Sequence, residues 1–329
     1  MSNSVDVRRP TLYLVVAGVL ALGTLLIPTG GGAGAAPPPE APPTAGGASA
    51  PSAPCEMIMD SLRPSGPVPA VGTAPAGSKV KEIYDRGRLI VGVDQSKYLV
   101  GYRDPQTGEL QGTDIDIVHR IAEAIFGDPN KVQFVVYDVA DRVKAVQNKE
   151  VDLVVNTLSI TCARQQQIEF SSPYLVAQQR IMVPIGSGIG GVDDLGGQRI
   201  CTSAGSTTER VLKDLAAEQA GDPMEVVTEA NIADCVIRLQ QGQVSAVSTD
   251  DIILAGLSAQ DPQTEVVGDV LDTTDLGIGI NKDFPDLVRF VNAVLEQGRA
   301  DGSLEASYAN WLGRRLNPPP LAPAARYRD

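Results

Sequence analysis

The sequence predicts an α/β protein built from two similar lobes. Val151, Leu153, Val154 and Val155 form a short, nearly continuous apolar run rich in β-branched side chains, which is typical of a strand buried on both faces of a parallel sheet. Apolar residues between Ile115 and Ile125 recur at helical spacing, and Gly127 provides a helix stop. Strand and helix patterns alternate over residues 79–155 and again over residues 199–249. This alternation predicts a mostly parallel sheet in each half.

The predicted elements place one lobe as an insertion in the other. The first part of lobe 1, residues 79–182, is predicted to contain helix 79–87, strand 89–93, a hairpin over 102–112, helix 115–125, strand 132–137, helix 142–148, strand 151–155 and strand 178–184 at its end. Lobe 2, residues 183–275, is predicted to contain strand 199–202, helix 207–219, strand 225–228, helix 232–241 and strand 246–249. Residues 276–316 return to lobe 1 with strand 276–281 and helices 285–301 and 304–313. Two crossing strands, near residues 180 and 278, then predict a hinge beside a cleft.

Composition narrows the classes of function. The chain has 329 residues, enough for two modest domains, and a formal net charge of −13. Such a charge argues against a nucleic-acid partner, because phosphates require clustered Lys and Arg. The single histidine, His119, falls in a predicted helix and is more simply half-buried than catalytic or metal-binding. No His/Cys cluster has zinc spacing, so we predict neither a metal site nor a cofactor.

The N-terminal region predicts export. Arg8 and Arg9 precede the uncharged residues 12–27, a run that is long for a signal-peptide core and just short of a comfortable membrane span. Ala33-Gly34-Ala35 offers a cleavage site, so residues 1–27 are either a cleaved signal peptide or a membrane anchor, and the bulk of the chain is extracytoplasmic in both cases. Residues 28–54 contain eight Pro and six Gly. We therefore predict a tether and stapled segment over residues 28–78, and a disordered tail over the Pro-rich residues 317–329.

The four cysteines fit an oxidising compartment, although buried free thiols are the alternative. Four cysteines permit three pairings. Cys201 and Cys235 fall in the same predicted lobe, so we predict that they form one disulfide. Cys55 then pairs with Cys162 and staples the segment after the tether to the loop region that follows strand 151–155.

That loop is a candidate ligand site. Residues 156–161 include four polar side chains and follow a predicted buried strand, and Arg164 comes shortly after them. Small ligands of open α/β sheets bind at this edge, and a guanidinium offers a fork of donors that matches a carboxylate. The alternative is a surface arginine beside a turn.

A resemblance favours the ligand site. The segments VDLVVNTLSITCAR and IEFSSPYL resemble the signature of the extracytoplasmic solute-binding proteins of polar amino acid ABC importers, the glutamine/glutamate-binding family. Further blocks recur in family order: RLIVGVD, GTDIDIVHRIAEAIFG, ICTSAGSTTERV, QVSAVSTDDIILAG, LGIGINKD and LVRFVNAVLEQGRADGSLEASYANWL. The resemblance implies the type II periplasmic-binding-protein fold, with two lobes joined by two hinge strands.

The resemblance also implies roles for individual residues. Arg164 matches the position that grips the α-carboxylate of the ligand, and Asp250 matches the acid that binds its α-ammonium. Further contacts are implied for Ser159, Thr157, Ser206 and Thr207. Ser206-x-x-Glu209 is also a capping box, so the alternative is that Ser206 serves only the helix.

The side-chain pocket departs from the glutamine-binding pattern. Lys97 and Arg142 fall near positions where those relatives place aromatic rings, and Asp94 ends the first strand beside them. Two nearby cations suggest a ligand carboxylate, hence glutamate or aspartate, with asparagine or glutamine possible. The alternative is that Lys97 and Arg142 are exposed.

Three functions remain open from the sequence. The first is a binding protein, without catalytic residues, that acts as a monomer and delivers its amino acid to an ABC permease. The second is a membrane-anchored sensor that signals through a membrane partner. The third is a dehydratase-type enzyme on the same fold, which requires a positioned acid or base.

Overall fold

The structure, a computed structural model, describes residues 60–328. The predicted targeting segment, most of the predicted tether, Cys55 and the last residue, Asp329, lie outside the described residues. Within the described part of the chain, none of the helices has both the length and the hydropathy required to cross a membrane.

Lobe 1 begins with the elements that the alternating pattern predicts. Ser78 caps the first helix, and Gly87 ends it in the left-handed conformation. The elements are α1 Lys79–Arg86, β1 Leu89–Val93, β2 Ser96–Lys97, β3 Gly101–Arg103, β4 Leu110–Gln111, α2 Thr113–Phe126, β5 Val132–Val136, α3 Arg142–Gln147, β6 Leu153–Val154, α4 Cys162–Gln165 and β7 Glu169–Phe170. After lobe 2 the chain returns to this lobe with β13 Gly279–Ile280, α8 Pro285–Ala300 and α9 Ser303–Trp311.

Lobe 2 repeats the strand–helix alternation. Its elements are β8 Leu175–Pro184, a 3-10 helix Val192–Leu195, β9 Arg199–Ser203, α5 Thr207–Glu218, β10 Glu225–Glu229, α6 Ile232–Gln240, β11 Ala246–Asp250, α7 Asp251–Gln260 and β12 Thr264–Leu276. A disulfide between Cys201 of β9 and Cys235 of α6, one of the two predicted pairs, fastens α6 to a strand beside the centre of the sheet.

Both main sheets have the same strand pattern, and both are mixed rather than purely parallel. The strand order is β5-β1-β6-β13-β7 in lobe 1 and β10-β9-β11-β8-β12 in lobe 2. The first three strands of each order run parallel to one another, whereas β13 and β8 are antiparallel to the strands on both sides of them. The prediction of parallel-sheet lobes is therefore correct for three strands of each sheet. β8 is the strand by which the chain enters lobe 2, and β13 is the first strand after its return to lobe 1.

The hinge consists of two long paired strands, and this changes the predicted lobe boundary. β8 pairs with β12 from Leu175↔Leu276 to Pro184↔Thr264, with a register shift between Val267 and Asp272. Residues 175–182, predicted for lobe 1, therefore lie in the sheet of lobe 2. β12 itself was not predicted, because acidic and exposed residues along this edge strand obscure its apolar alternation.

The predicted disordered tail and the end of the predicted tether are both docked on lobe 1. Ser61 pairs with Tyr327 in a parallel bridge. Arg328 Nη2 donates to Glu169 Oε2 at 2.7 Å, and the backbone N–H of Arg326 donates to Ser172 Oγ at 3.3 Å. Arg326 also forms an ion pair with Asp275 at the end of β12. The prediction of disorder is wrong for residues 317–328, because the extended backbone finds hydrogen-bond partners on the lobe surface.

Candidate functional site

The site residues lie at the carboxyl ends of the central strands of both lobes. Asp94 follows β1, the loop from Asn156 follows β6, Ser206 follows β9, and Asp250 ends β11. Because β1 and β6 are parallel neighbours, as are β9 and β11, their following loops meet at one edge of each sheet. The fold thus brings together the residues that the sequence analysis selected.

Lys97 organises the loop after β6. It is 2% exposed. Its Nζ lies 2.6 Å from Asn156 Oδ1, 2.9 Å from Thr157 Oγ1 and 3.1 Å from Asp94 Oδ2. An ammonium has three N–H donors, so these acceptors use all of them. The alternative that Lys97 is exposed is wrong, and its contacts are with the protein.

Asp94 is the buried counterion of Lys97. Its Oδ1 accepts hydrogen bonds from the backbone N–H and the hydroxyl of Ser96, both at 2.8 Å. Burial raises the pKa of Asp94, but the charge of Lys97 and the hydrogen bonds from Ser96 outweigh it, so the pKa is lowered overall. Asp94 is therefore ionised at neutral pH.

Arg142 is buried beside the same loop but keeps unused donors. It is 3% exposed, so the alternative that it lies on the surface is also wrong. Its Nη1 donates to the carbonyl oxygens of Asn156 and Thr157 at 2.5 and 3.2 Å. Its Nε, also buried, finds no partner among the described residues. Burial lowers the pKa of Arg142 to about 10, against the charges of Asp250 and Asp94, so the side chain stays cationic.

Arg164 reaches across the cleft from the short helix α4. Thr161 caps this helix, its Oγ1 accepting from the Arg164 N–H at 3.3 Å. The guanidinium donates from Nη1 to Ser159 O at 2.9 Å and from Nη2 to Gly205 O of lobe 2 at 3.2 Å. Burial and the charge of Arg142 lower the pKa of Arg164 to about 9, and Asp250 opposes this shift. Two cations are thus held close together at this site.

Thr157 occupies a strained turn. Its φ of 43° lies in the left-handed region, which is uncommon for a residue with a branched side chain. Its N–H donates to Asp114 Oδ2 at 2.9 Å, and its Oγ1 accepts from Lys97. Sequence patterns indicate Thr157 but not Asp114, which accepts from its N–H, or Asn156, which accepts from Lys97 beside it.

Lobe 2 contributes fewer charges. Ser206 is the N-cap of α5, where its Oγ accepts from the Glu209 N–H at 3.0 Å and donates to Ser203 O at 2.7 Å. Glu209 Oε2 in turn accepts from the Gly205 N–H at 2.7 Å, one residue before the N-cap, so the second half of the capping box is displaced by one residue. Thr207 Oγ1 lies 3.1 Å from Ser159 Oγ of lobe 1. The capping interpretation of Ser206 thus describes its contacts.

Asp250 is the one acidic site residue predicted in lobe 2. It is 5% exposed, and its carboxylate accepts no hydrogen bond from any residue in the range 60–328. Burial and the neighbouring Asp251 raise the pKa of Asp250 to about 6, whereas the charges of Lys97, Arg142 and Arg164 lower it. Asp251 is half-buried, and its Oδ1 accepts from the Gln178 N–H at 3.0 Å.

The two lobes touch around these residues, as in a closed cleft. Besides the Arg164–Gly205 and Ser159–Thr207 contacts, α7 of lobe 2 lies against the loop after β2. A Cβ added at Gly256 would lie 2.1 Å from the carbonyl oxygen of Tyr98, a distance that only glycine permits. A cavity of about 610 Å³ opens at the mouth of the cleft, lined from both lobes by Arg164, Ser206 and Thr207 among others.

Cys162 begins α4, two residues before Arg164, and is disulfide-bonded. Its predicted partner, Cys55, lies outside the described residues, so that pairing stays a prediction. No group of three or more potential metal ligands occurs among the residues that the structure describes.

Comparison with known proteins places this architecture in a class of ligand-binding proteins. The two mixed sheets joined by paired hinge strands form the type II periplasmic-binding-protein fold, which confirms the predicted fold class. The solved structure of an ancestral amino acid-binding protein, a precursor of cyclohexadienyl dehydratase, is similar with a TM-score of 0.63 and 29% identity, covering 71% of this chain and 99% of that one.

Sequence comparison identifies the family. Residues 89–314 match the bacterial extracellular solute-binding proteins, family 3, and the chain belongs to this family. A glutamine-binding protein of an ABC transporter from Bacillus subtilis is 32% identical over 70% of this chain and 83% of its own length. A glutamate-binding protein from Corynebacterium efficiens is 28% identical over 74% of this chain and 85% of its own length.

Proposed function

We propose that the protein binds a free acidic amino acid, glutamate or aspartate, outside the cytoplasm and delivers it to an ABC importer. The observation that carries this proposal is the buried Asp250 carboxylate, which lacks a hydrogen-bond partner among the described residues and faces the charges of Arg164 and Arg142. A buried charge without a partner is costly, so such a carboxylate is suited to a cationic ligand group. Relatives named for glutamine and glutamate binding support the choice of amino acid class.

The cleft has opposite charges where an α-amino acid needs them. Arg164 binds the α-carboxylate through the N–H donors that remain beyond those directed at Ser159 O and Gly205 O, since a guanidinium carries five. Asp250 binds the α-ammonium. Ser159 and Thr207, whose hydroxyls meet across the cleft, and the N-terminus of α5, which Ser206 caps, complete the carboxylate site.

Arg142 is the residue that selects an acidic side chain. Lys97 has no donor left after Asp94, Asn156 and Thr157, whereas Arg142 keeps Nε and Nη2 outside its two hydrogen bonds. A ligand carboxylate can therefore bind Arg142, while Lys97 and Asp94 hold the loop behind it. A charge-assisted hydrogen bond contributes about 1.5–3 kcal/mol against about 1 kcal/mol for a neutral one, which corresponds to a preference of a few-fold to about thirtyfold over glutamine.

The proposal also covers the partner protein and the cellular location. We place the permease of an importer as the partner of a monomeric binding protein, held at the membrane by an uncleaved N-terminal segment or released after cleavage. We assign no catalytic residue. Of the groups suited to proton transfer, His119 bonds through Nδ1 to Pro129 O at 2.7 Å, away from the loops that form the cleft. Product formation from a cyclohexadienyl acid would instead support the dehydratase.

Isothermal titration with glutamate, aspartate, glutamine and asparagine tests the proposal. The parent should bind an acidic amino acid most tightly. Arg142→Gln should abolish the preference for glutamate over glutamine, whereas Lys97→Gln should weaken both ligands alike because Lys97 acts through the loop. Tighter binding of glutamine by the parent, or an unchanged preference in Arg142→Gln, would disprove acidic selectivity but leave amino acid binding intact.

A further inference from the structure

Asp114 is a buried carboxylate that is not among the proposed ligand contacts but is bonded to a residue of the ligand loop. It lies in the first turn of α2 and is 2% exposed. Oδ2 accepts from the Thr157 N–H at 2.9 Å, and Oδ1 accepts from the Tyr174 hydroxyl at 2.8 Å. Both oxygens are therefore engaged by groups that are distant in sequence. One lies in the ligand loop and the other beside the hinge.

The first contact, with the Thr157 N–H, stabilises a turn in which Thr157 has an unfavourable backbone conformation. Thr157 has a positive φ, a conformation that costs of order 1 kcal/mol or more for a residue other than glycine. Three buried charges act on this residue: Asp114 on its N–H, Lys97 on its hydroxyl and Arg142 on its carbonyl. Without Asp114, the Thr157 N–H would be buried and unpaired, and the turn would lose its anchor on α2.

The second contact reaches the base of the hinge. Tyr174 immediately precedes β8, and its N–H donates to the carbonyl of Leu276, the last residue of β12, at 2.9 Å. Its carbonyl accepts from the Tyr308 hydroxyl at 2.6 Å, which fixes it to α9. Asp114 therefore connects the ligand loop with the point at which both hinge strands meet lobe 1.

Close backbone contacts fix the position of the N-terminus of α2, which carries Asp114. The Asp114 N–H donates to Val100 O at 2.9 Å. Gly112, just before the helix, has a φ of 125°, and a Cβ there would lie 2.3 Å from the same carbonyl oxygen. The helix can approach Val100 this closely only with glycine at that position, so the carboxylate two residues later has a defined location.

We propose that Asp114 is a positioning residue that holds Thr157 in its binding conformation and couples the ligand loop to the hinge, so that loss of its charge weakens ligand binding. This inference rests on the proposed amino acid site, although the loop itself can be tested without a ligand.

The charge of Asp114 is sensitive to pH. Burial raises the pKa of Asp114 to about 6, against the hydrogen bonds from Tyr174 and Thr157 and the charge of Lys97, while Asp94 raises it further. Arg142 and Tyr308 also interact with this carboxylate. Because the folded state holds the proton more tightly than the unfolded chain, Asp114 contributes a loss of folding stability as pH rises from about 4 to 6. Ligand affinity should rise between about pH 5 and 7, as the carboxyl of the folded protein loses its proton, which a purely structural role would not produce.

Asp114→Asn is the informative variant. The amide oxygen can still accept from the Thr157 N–H while its NH2 donates to the Tyr174 hydroxyl, so the fold is retained and the charge is lost. Asp116→Asn is the matched control. Asp116 lies on the same helix and also bridges two groups, accepting from Ser307 Oγ at 2.6 Å and Trp311 Nε1 at 2.8 Å, but neither group belongs to the loop.

Two measurements test the proposal. In titrations with glutamate, Asp114→Asn should bind about tenfold more weakly at pH 7.5 and should lose one of the proton-linked steps between pH 5 and 7. The other step belongs to Asp250. Asp116→Asn should bind like the parent. In ligand-free protein, hydrogen–deuterium exchange over residues 153–161 should be faster in Asp114→Asn than in the parent and the control.

Unchanged exchange in Asp114→Asn would overturn the proposal whether or not glutamate binds. Parent-like affinity and an unchanged pH profile in this variant would also overturn it. If the parent bound no amino acid while exchange over residues 153–161 responded to Asp114→Asn, the proposed function would fail and the positioning of the loop would stand.

Discussion

The two sides of the cleft differ in how far the protein satisfies its own polar groups. On the lobe 1 side, Lys97, Arg142 and Asp114 are buried and bonded to one loop, with Asp94 as a counterion. On the lobe 2 side, Ser206 caps a helix and Asp250 accepts no hydrogen bond from the described residues. The difference indicates that contacts within the protein hold the lobe 1 loop in place without a ligand. In the proposed function, Asp250 of lobe 2 is satisfied when the ammonium group of the ligand enters the cleft.

The largest expected effect comes from the charges that face the ligand. Asp250→Ala or Arg164→Ala should weaken binding of the preferred amino acid about thirtyfold or more, because removing one partner of a desolvated charge pair costs about 2–5 kcal/mol. Isothermal titration measures this. Affinity of the parent should also fall as pH drops below about 6, where Asp250 takes up a proton. Asp251→Asn is the control for affinity at pH 7.5, since Asp251 bonds to the Gln178 backbone, and parent-like binding by Asp250→Ala and Arg164→Ala would place the site elsewhere.

The second prediction tests the contact between the lobes without touching the ligand. Gly256→Ala adds a methyl group where the Tyr98 carbonyl oxygen would be 2.1 Å away in the closed arrangement. Such overpacking costs about 1–3 kcal/mol, so ligand affinity should fall roughly tenfold. Alanine favours the helix over glycine, so thermal stability of the ligand-free protein should not fall.

Small-angle scattering tests whether impaired closure of the lobes causes the loss of affinity in Gly256→Ala. The parent should contract on adding its amino acid, and Gly256→Ala should contract less. Ser258→Ala, on the same helix, should behave like the parent. If Gly256→Ala binds and contracts normally, the approach of α7 to Tyr98 does not limit closure.

The sequence predicts the secondary structure and the charged residues near the strand ends better than the contacts that hold the lobe 1 loop. Periodicity identifies most strands and helices, because one face of each element is apolar. The carboxyl ends of those strands then indicate where Arg164 and Asp250 lie. Asp114 and Asn156 were missed because their importance comes from contacts that join residues 43 and 59 positions apart. Lys97 was assigned to the ligand for the same reason, since only the structure reveals that its donors are all engaged.

The docked C-terminal segment illustrates a second limit. Composition shows that residues 317–328 cannot form a core alone, but it does not show that a neighbouring surface offers partners such as Glu169 and Ser172. The edge strand β12 escaped prediction similarly, because its exposed acidic residues interrupt the alternation that marks a buried strand.

The smallest expected effect concerns Ser206, and it tests whether lobe 2 contributes through this side chain or through its helix. In the structure the Ser206 hydroxyl accepts from the Glu209 N–H and donates to Ser203 O, so its contacts belong to the capping of α5. Ser206→Ala should therefore lower the free energy of unfolding by about 1 kcal/mol, measured by chemical denaturation, and change ligand affinity by no more than a few-fold. Ser206→Gly is the matched variant, because glycine is nearly as good an N-cap and should restore most of the stability. If both variants instead lost affinity about tenfold with little change in stability, the hydroxyl would bind the ligand directly, and lobe 2 would contribute more than Asp250 and a helix terminus.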